Sequence, residues 1–156
     1  FKTIPHEEFV SKREFIMILK YRFNKKIPTT IVYLYFPSIR NVFFNKGVYY
    51  HKLILDFLIN KIDYYLPKDT VKALVDEFTV GIILQGDIKK NQKLIDSLKK
   101  HLSNASFQIE KKFIDLKPKI AYTDFKETDE DSEKPIVRIE SLHYELVNFD
   151  QELATE

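Results

Sequence analysis

The sequence predicts an α+β fold in which a central, mostly antiparallel sheet is flanked by helices. Three observations indicate this class. Residues 29–36 are almost all β-branched or aromatic, which is typical of a central strand covered on both faces. Residues 70–84 contain two apolar runs around a polar turn, which predicts a β-hairpin. The segments around these strands place apolar residues at helical spacing, so helices should pack against the sheet.

Composition favours a single domain spanning residues 1–156, because 44% of the residues are hydrophobic and only 3 are glycine. The first residue is Phe1 rather than methionine, so we expect a domain excised from a longer protein. The 25 basic residues nearly balance the 23 acidic ones, which gives no electrostatic argument for a nucleic-acid partner. The absence of cysteine excludes thiolate sites and fits a reducing cytoplasm. No apolar run is long enough to span a bilayer, so we expect no membrane contact by this segment.

The first predicted helix begins after Ser11. Ser11 and Glu14 have the spacing of a capping box, in which each side chain bonds a backbone amide of the other residue. Apolar residues then recur at helical spacing until a turn precedes the central strand. Pro37 should stop that strand, and we expect the residues between Pro37 and Gly47 to form a loop.

A long second helix should follow the loop and end at Pro67. Its apolar residues trace one stripe, with Phe57 in the middle of the face that packs on the sheet. A buried aromatic residue at this position would make Phe57→Ala cost about 3–5 kcal/mol. The members of the predicted stripe are Tyr50, Leu53, Ile54, Phe57, Leu58, Ile62 and Tyr65.

The hairpin carries Asp76 and Glu77 at its predicted turn. Two adjacent acids at the tip would project away from the sheet, where a metal ion and a phosphate could meet them. An ordinary polar turn without any chemistry explains the same pattern. Because exposed turn residues contribute little to stability, Asp76→Ala and Glu77→Ala should each cost no more than about 0.5 kcal/mol.

The second half of the chain begins with a third helix, which Asp87 can cap. Strands are expected at residues 107–109 and 113–125, with Pro118 better suited to an edge or a bulge than to a central ladder. Residues 126–134 carry five acids and two lysines and are expected to form a mobile loop, followed by a last amphipathic helix. The third helix is predicted to bury Leu94, Ile95, Leu98 and Leu102 and to expose Lys89, Lys90, Lys93, Lys99 and Lys100. The last helix is predicted to bury Ile136, Ile139, Leu142, Leu146 and Phe149.

This order of elements resembles the catalytic domain of diguanylate cyclases, the GGDEF family. The order is helix, strand, helix, hairpin, helix, strand and helix, over nearly the whole chain. In the hairpin, the pentapeptide Leu74, Val75, Asp76, Glu77 and Phe78 stands where Gly-Gly-Asp-Glu-Phe would be. The resemblance implies the nucleotidyl cyclase fold with its ferredoxin-like core. It also implies a degenerate GGDEF-like domain, because both glycines of the signature are missing.

The metal-binding positions of the GGDEF family hold unsuitable residues in this sequence. The family's Asp-x-Asp metal pair aligns with Tyr35, Phe36 and Pro37, none of which can ligate a hard cation. Asp76 matches the remaining metal-ligand position. Since one carboxylate is a poor magnesium site, the resemblance implies no bound metal.

The nucleotide-binding positions of the family also depart from its pattern. The residues that read guanine align with Phe43 and Lys52, which cannot reproduce the hydrogen bonds of an asparagine and an aspartate. Leu74 and Val75 place branched side chains where glycines allow a nucleotide to approach the backbone. The product-inhibition motif Arg-x-x-Asp aligns with residues 65–68, Tyr-Leu-Pro-Lys, so we expect no cyclic di-GMP binding there.

These departures predict a catalytically inactive domain that is not an enzyme and has no cofactor. We expect it to act as a regulatory or scaffolding module of a bacterial signalling protein, in the cytoplasm and in cyclic di-GMP signalling. Its partners would be another protein or a neighbouring domain, with a homodimer as one option. The full-length protein could be membrane-anchored.

Two alternatives remain open. One is a sensor that binds GTP or a cyclic dinucleotide with Mg²⁺ but does not turn it over, using Lys46, Lys72, Asp76 and Glu77. The other is an unrelated α+β interaction domain in which Asp-Glu-Phe occurs by coincidence. No other catalytic site is indicated, because the sequence has no phosphate-binding P-loop and its histidines lack metal-ligand spacing. These histidines are His6, His51, His101 and His143.

Overall fold

The computed structural model describes residues 9–149 and 151–156, and its centre is a six-stranded mixed sheet. The strands are β1 (Phe9–Val10), β2 (Thr29–Tyr35), β3 (Val71–Asp76), β4 (Thr79–Gln85), β5 (Ser106–Ile109), β6 (Lys112–Asp115), β7 (Lys119–Asp124) and β8 (Leu153–Thr155). The helices are α1 (Lys12–Asn24), α2 (Pro37–Lys46), α3 (Val48–Tyr65), α4 (Ile88–Ser103) and α5 (Glu133–Asn148). The strand order is β1-β3-β4-β2-β7-β8, and β5 and β6 form a separate hairpin. The predicted α+β class is confirmed. His6 lies outside the described residues.

Strand β2 is the central strand, and all of its residues are buried. It pairs antiparallel with β4 and with β7, and β3 pairs antiparallel with β4. The outer strands β1 and β8 run parallel to their neighbours. The unbroken run of β-branched and aromatic residues therefore marked a strand that is covered on both faces, as predicted.

The side chains of β2 alternate between two hydrophobic cores, one on each face of the sheet. Val32 and Leu34 enter the core that contains α3 and α4, which we call the α3/α4 core; its most buried helical residues include Leu58. Tyr33 enters the core that contains α1 and α5, which we call the α1/α5 core; Leu142 lies there. Both layers of helices depend on the same central strand.

Two predicted helix starts are confirmed by side-chain caps. The Ser11 hydroxyl accepts the Glu14 backbone N–H at 3.1 Å, and the Asp87 carboxylate accepts the Lys90 N–H at 2.9 Å. Each bond satisfies a backbone donor that has no partner within its helix. Helix α4 then buries three of the four residues predicted for its stripe, and Leu94 is half-buried.

The segment between Pro37 and Gly47 is helix α2, so the prediction of a loop is wrong. Pro37 ends β2 as predicted, but it also occupies the first turn of the helix, where its missing N–H costs no hydrogen bond. Ile39 and Val42 lie three residues apart and are both buried. Gly47 ends the helix with a φ of 87°, a conformation that favours glycine.

Helix α3 lies where predicted, and Ile54, Leu58 and Ile62 of the predicted stripe are buried, but the buried face is rotated so that the other stripe residues are only half-buried. Leu55, Leu58 and Ile59 are buried, whereas Phe57 is only half-buried. The Phe57 ring packs against Phe107 of β5, with 5.2 Å between the ring centroids. Since one residue along a helix corresponds to a rotation of about 100°, a small error in the stripe moved Phe57 off the face that meets the sheet.

The single strand predicted for residues 113–125 is two strands that belong to different sheets. Strand β6 pairs with β5, whereas β7 is an interior strand of the main sheet between β2 and β8. Pro118 lies in the connection between them, where its missing N–H breaks no ladder.

Residues 126–134 are anchored to the protein, contrary to the mobile loop that we predicted. The Asp129 carboxylate accepts the Lys126 backbone N–H and two N–H groups of Arg138, each at 2.8 Å. Only 4% of the Asp129 side chain is exposed. The acidic composition suggested a solvated loop, but the Asp129 carboxylate accepts a bidentate hydrogen bond from the half-buried guanidinium of Arg138.

The last helix, α5, is confirmed together with four of its predicted buried residues. Phe149 is the exception, because it follows the end of the helix and is 61% exposed. Among the described residues, no helix is both long enough and apolar enough to cross a membrane.

Candidate functional site

The predicted hairpin is present as β3 and β4, with its turn at Glu77 and Phe78, one residue later than predicted. The pairing register shifts between Leu74 and Asp76, so Val75 is the extra residue of a β-bulge. Val75 points into the α1/α5 core, as Ala73 does two residues earlier, and it is 8% exposed. Asp76 lies at the rim of the sheet, beside the turn.

Asp76 is bonded within the hairpin rather than projecting freely. One carboxylate oxygen accepts the Phe78 backbone N–H at 2.8 Å, which closes the turn. The other oxygen lies 3.7 Å from Nε2 of His143, and the side chain keeps 44% exposure. The carboxylate therefore has a structural role and still faces solvent.

His143 of α5 lies behind the hairpin and joins it to the α1/α5 core. Its Nε2 atom is 3.1 Å from the Thr79 hydroxyl, and its ring meets Tyr33 edge-on at 5.4 Å. Burial lowers the pKa of His143 below its ordinary value of 6.5, and this effect outweighs the opposing charges of Asp76 and Glu140. The imidazole is therefore uncharged at neutral pH and acts as a polar packing group.

The end of β2, opposite the hairpin acid, carries aromatic residues. Tyr35 is 5% exposed and Phe36 is fully buried. The Tyr35 hydroxyl accepts an N–H of Arg40 at 3.4 Å, and the Arg40 guanidinium lies 5.8 Å from the centre of the Phe44 ring. A phenol, a guanidinium and aromatic rings thus share this edge of the sheet with Asp76.

A buried histidine fixes the other side of the hairpin tip. His51 of α3 donates its Nε2–H to the Glu77 carbonyl oxygen at 2.8 Å. Its ring meets Phe43 edge-on at 5.0 Å and Phe78 at 5.7 Å. The turn is therefore held by a hydrogen bond and by an aromatic cluster, which together favour one conformation of the tip.

Two open depressions flank the hairpin tip, and both include Asp76 and Glu77. The first has a volume of about 490 Å³, and its other lining residues are Tyr35, Arg40, Phe44, Phe78 and Val147. The second has a volume of about 510 Å³, and its other lining residues are Phe43, Val48, His51, Lys52, Leu55 and Leu74. Both are large enough to accept a small ligand or a protein side chain.

The structure does not bring the two candidate lysines to the hairpin acids. Lys72 is 1% exposed, and its ammonium contacts the Asp63 carboxylate and donates to the Thr70 carbonyl at 3.0 Å. Lys46 lies 3.8 Å from Glu110 at a different groove, between α2 and the β5–β6 hairpin. Of the four nucleotide-binding candidates, only Asp76 and Glu77 share a site.

Three side chains at this site were not singled out as candidates from the sequence. Arg40 lies in the segment that was predicted to be a loop. His51 and His143 were interpreted as isolated histidines, because neither has a partner at a recognisable spacing along the chain. Their contacts with the hairpin join residues that are far apart in sequence, so no local pattern could have revealed them.

The donor set at the hairpin does not fit the magnesium site that active diguanylate cyclases need. Mg²⁺ needs an octahedron of hard oxygen ligands, usually including more than one carboxylate or phosphate. The first depression is lined by two carboxylates, those of Asp76 and of the exposed Glu77. One oxygen of Asp76 is already bonded to the Phe78 N–H. Within residues 9–149 and 151–156, no group of three or more histidine, aspartate or glutamate side chains could hold a metal ion.

No protein-family model and no curated protein matches the sequence. Solved structures, in contrast, match nearly the whole chain. The GGDEF domain of FimX from Pseudomonas aeruginosa has a TM-score of 0.82 and 12% identity, with 100% of both chains covered. The GGDEF domain of DgcB from Caulobacter crescentus, in complex with c-di-GMP, has a TM-score of 0.76 and 8% identity, covering 99% of this chain and 96% of that one.

A further match is the diguanylate cyclase SiaD from Pseudomonas aeruginosa, in complex with its activator SiaC. Its TM-score is 0.80 with 7% identity, and the match covers 94% of this chain and 58% of that chain. These likenesses show that the chain has the fold of GGDEF domains, as the order of elements predicted. At such low identity they show the fold alone.

Proposed function

We propose that this chain, which has the fold of GGDEF domains, is a catalytically inactive GGDEF-like domain of a bacterial signalling protein. It regulates or scaffolds through contacts with another protein or with a neighbouring domain. Cyclic di-GMP signalling is the pathway in which we place it. We also propose that the domain binds no metal ion and no cofactor.

The observation that carries the proposal is that Asp76 shares its depression with Tyr35 rather than with a second metal-binding carboxylate of β2. Joining two nucleoside triphosphates requires divalent ions that carboxylates hold in place. Asp76 also accepts the Phe78 N–H, so one of its oxygens is already engaged. In the second depression Leu74 places a branched side chain where the GGDEF signature has glycine.

Two of the similar structures support a protein partner and a place in cyclic di-GMP signalling. SiaD was solved with an activator protein, and DgcB was solved with c-di-GMP. A domain that keeps this fold without a metal site can still offer its surface to a protein.

The first test is an activity assay with GTP and either Mg²⁺ or Mn²⁺, with products separated by chromatography. We expect no cyclic di-GMP above a control without protein, while an active diguanylate cyclase assayed in parallel gives product. Product that is formed by the wild-type chain and lost in Asp76→Ala would overturn the proposal.

The second test addresses regulation in the natural protein. Deleting residues 9–156 should change the cellular cyclic di-GMP response of the bacterium that encodes it. The double variant Asp76→Ala/Glu77→Ala should leave that response unchanged, because the acids have no catalytic role. If the double variant lost the response to the same extent as the deletion, the hairpin acids would have a role beyond structure, and the proposal of an inactive domain would be contradicted.

One observation favours the alternative of nucleotide binding without turnover. The second depression combines the rings of Phe43 and His51 with the basic side chain of Lys52, a set that can stack on a base and face a phosphate. Calorimetric titration with GTP, ATP, cyclic di-GMP and cyclic di-AMP in the presence of Mg²⁺ tests this directly. Saturable binding that Phe43→Ala abolishes would establish a sensor, and no heat with any of the four would exclude it.

A further inference from the structure

The β5–β6 hairpin stands apart from the main sheet and has an open edge. It consists of two four-residue strands joined by a turn at Glu110 and Lys111. In the part of the chain that the structure describes, β6 pairs only with β5. Unpaired strand edges readily accept another strand, so proteins usually protect them.

The backbone groups at this open edge can be assigned from the pairing register. The turn makes Ile109 and Lys112 the first pair of the ladder, and Leu116 donates its N–H to the Ala105 carbonyl at 3.0 Å beyond the last pair. Alternate residues of an antiparallel strand bond to opposite sides. The backbone N–H and C=O groups of Phe113 therefore point away from β5, as do those of Asp115.

The side chains along this edge divide into a core face and a solvent face. Ile114 and Lys112 lie on the face that meets the α3/α4 core, where Ile114 is half-buried. Phe113 and Asp115 lie on the solvent face, and Phe113 is 68% exposed. Among the described residues, neither Lys111 nor Asp115 forms an ion pair. An exposed aromatic residue thus lies between an unpaired base and an unpaired acid.

We propose that a second copy of this chain adds to the β6 edge, antiparallel, around a two-fold axis that passes through Phe113. Such an axis runs perpendicular to the sheet, so the solvent faces of both copies lie on one side. Phe113 then faces Phe113 of the other copy, and Lys111, the turn residue that precedes β6, lies beside the end of the other copy's β6, where its long side chain can reach Asp115. Aromatic pairs and pairs of opposite charge are the favourable cross-strand combinations in antiparallel sheets.

Neighbouring registers fit less well. Moving the axis to Lys112 or to Asp115 sets like charges directly opposite each other. Moving it to Ile114 sets Phe113 against Asp115 and leaves Lys111 without an acid. Charge complementarity therefore selects the axis through Phe113, and it selects a second copy over an unrelated strand. No residue of this edge lines either depression at the β3–β4 hairpin, so the interface does not depend on nucleotide binding or catalysis.

Charge reversal tests the proposal, with sedimentation equilibrium of the 156-residue chain at concentrations up to about 1 mM. Wild type should form a dimer. Lys111→Asp and Asp115→Lys should each weaken association by about tenfold or more, since each places two like-charged pairs across the axis. The double variant Lys111→Asp/Asp115→Lys restores opposite charges and should associate within about threefold of wild type.

Cross-linking provides a second readout, because the chain contains no cysteine. Phe113→Cys should form a disulfide-linked dimer under mild oxidation, since the two sulfurs would meet at the axis. Tyr64→Cys, at a side chain that is 81% exposed on α3, is the matched control and should remain monomeric. A monomeric wild type, a dimer that the single reversals leave intact, or equal cross-linking at both cysteines would each overturn the proposal. All substituted positions are exposed, so far-UV circular dichroism should show native folding.

Discussion

At the scale of single residues, Asp76 shows how a surface acid can be part of the structure. Its oxygen accepts the Phe78 N–H at 2.8 Å, and this bond closes the turn of the hairpin. Glu77 is exposed and its contact with the protein is through its backbone carbonyl, which His51 binds. From the sequence the two acids were equivalent, whereas in the structure only the Asp76 side chain holds the backbone.

The first prediction therefore separates the two acids, which we had expected to be equally dispensable. Asp76→Ala should cost about 0.5–1.5 kcal/mol, the usual net contribution of a hydrogen bond. Glu77→Ala should stay within about 0.5 kcal/mol. Urea unfolding of the two variants measures the difference, and equal midpoints would show that the bond from Phe78 contributes nothing.

A second residue-scale prediction concerns the ion pair of Asp129 and Arg138. Hydrogen bonds from the guanidinium hold the pKa of Asp129 below its ordinary value of 3.8. Asp129→Asn removes the charge, and at pH 7 it should cost about 1.5–3 kcal/mol, the range for hydrogen bonds to charged groups. Glu130→Gln is the matched control, because Glu130 is an exposed acid of the same segment.

The pH dependence of this effect has a definite sign. A folded-state pKa below the unfolded value stabilises the fold at every pH above the unfolded pKa, and that stability is lost as the pH falls through the folded pKa. The difference in unfolding free energy between wild type and Asp129→Asn should thus be constant from pH 7 down to about 5, and it should shrink below about 3.8. A difference that is unchanged at pH 2.5 would mean that the charge of Asp129 is not what stabilises the segment.

The candidate site could be predicted only in part, for reasons that lie in individual residues. The hairpin pattern located Asp76 and Glu77, because a polar pair between two apolar runs is a local signal. Lys72 was considered a nucleotide-binding candidate, but it is buried and paired with Asp63. Lysines are almost never buried unless they are paired, and this pair could not be read from the sequence because Asp63 belongs to another element. The histidine contacts of the tip are equally nonlocal, so only the fold reveals them.

At the scale of elements, the sequence was most informative where a pattern extends over several turns or a whole strand. Strand β2 and helices α3, α4 and α5 were all predicted. Helix α2 was missed because Pro37 can either stop a strand or start a helix. Strands β1 and β8 have two and three residues, too short for any periodic pattern to show.

The third prediction tests the phase of helix α3. Leu58 is fully buried in the α3/α4 core, so Leu58→Ala should cost about 2–5 kcal/mol. Phe57 is half-buried at the edge of the same core, with its ring against Phe107, so Phe57→Ala should cost clearly less than Leu58→Ala, not the larger amount that the predicted stripe implied. Asn60→Ala, at an exposed position of the same helix, should stay within about 0.5 kcal/mol. Urea midpoints in the reverse order for Leu58 and Phe57 would show that Phe57 lies at the middle of the buried face, as first predicted.

At the scale of the whole molecule, the two hydrophobic cores share one wall. The residues of β2 contribute alternately to the α3/α4 core and to the α1/α5 core, so neither core is complete without this strand. Loss of β2 from one core removes it from the other. We therefore expect the described part of the chain to unfold as one cooperative unit, although helices α3 and α5 lie on opposite faces of the sheet.

The last prediction tests this coupling by hydrogen exchange. Leu142→Ala opens a cavity in the α1/α5 core, where Leu142 is 2% exposed, and should cost about 2–5 kcal/mol. If β2 couples the two cores, the slowest amides of α3 around Leu58 should lose protection by the same factor as those of α5, because both exchange through global unfolding. The matched control is Val137→Ala, at a 58% exposed position of the same helix, which should leave both sets of amides unchanged. Protection that falls in α5 but persists in α3 would show that the two faces open independently and that β2 stays bound to α3 when its other face is lost.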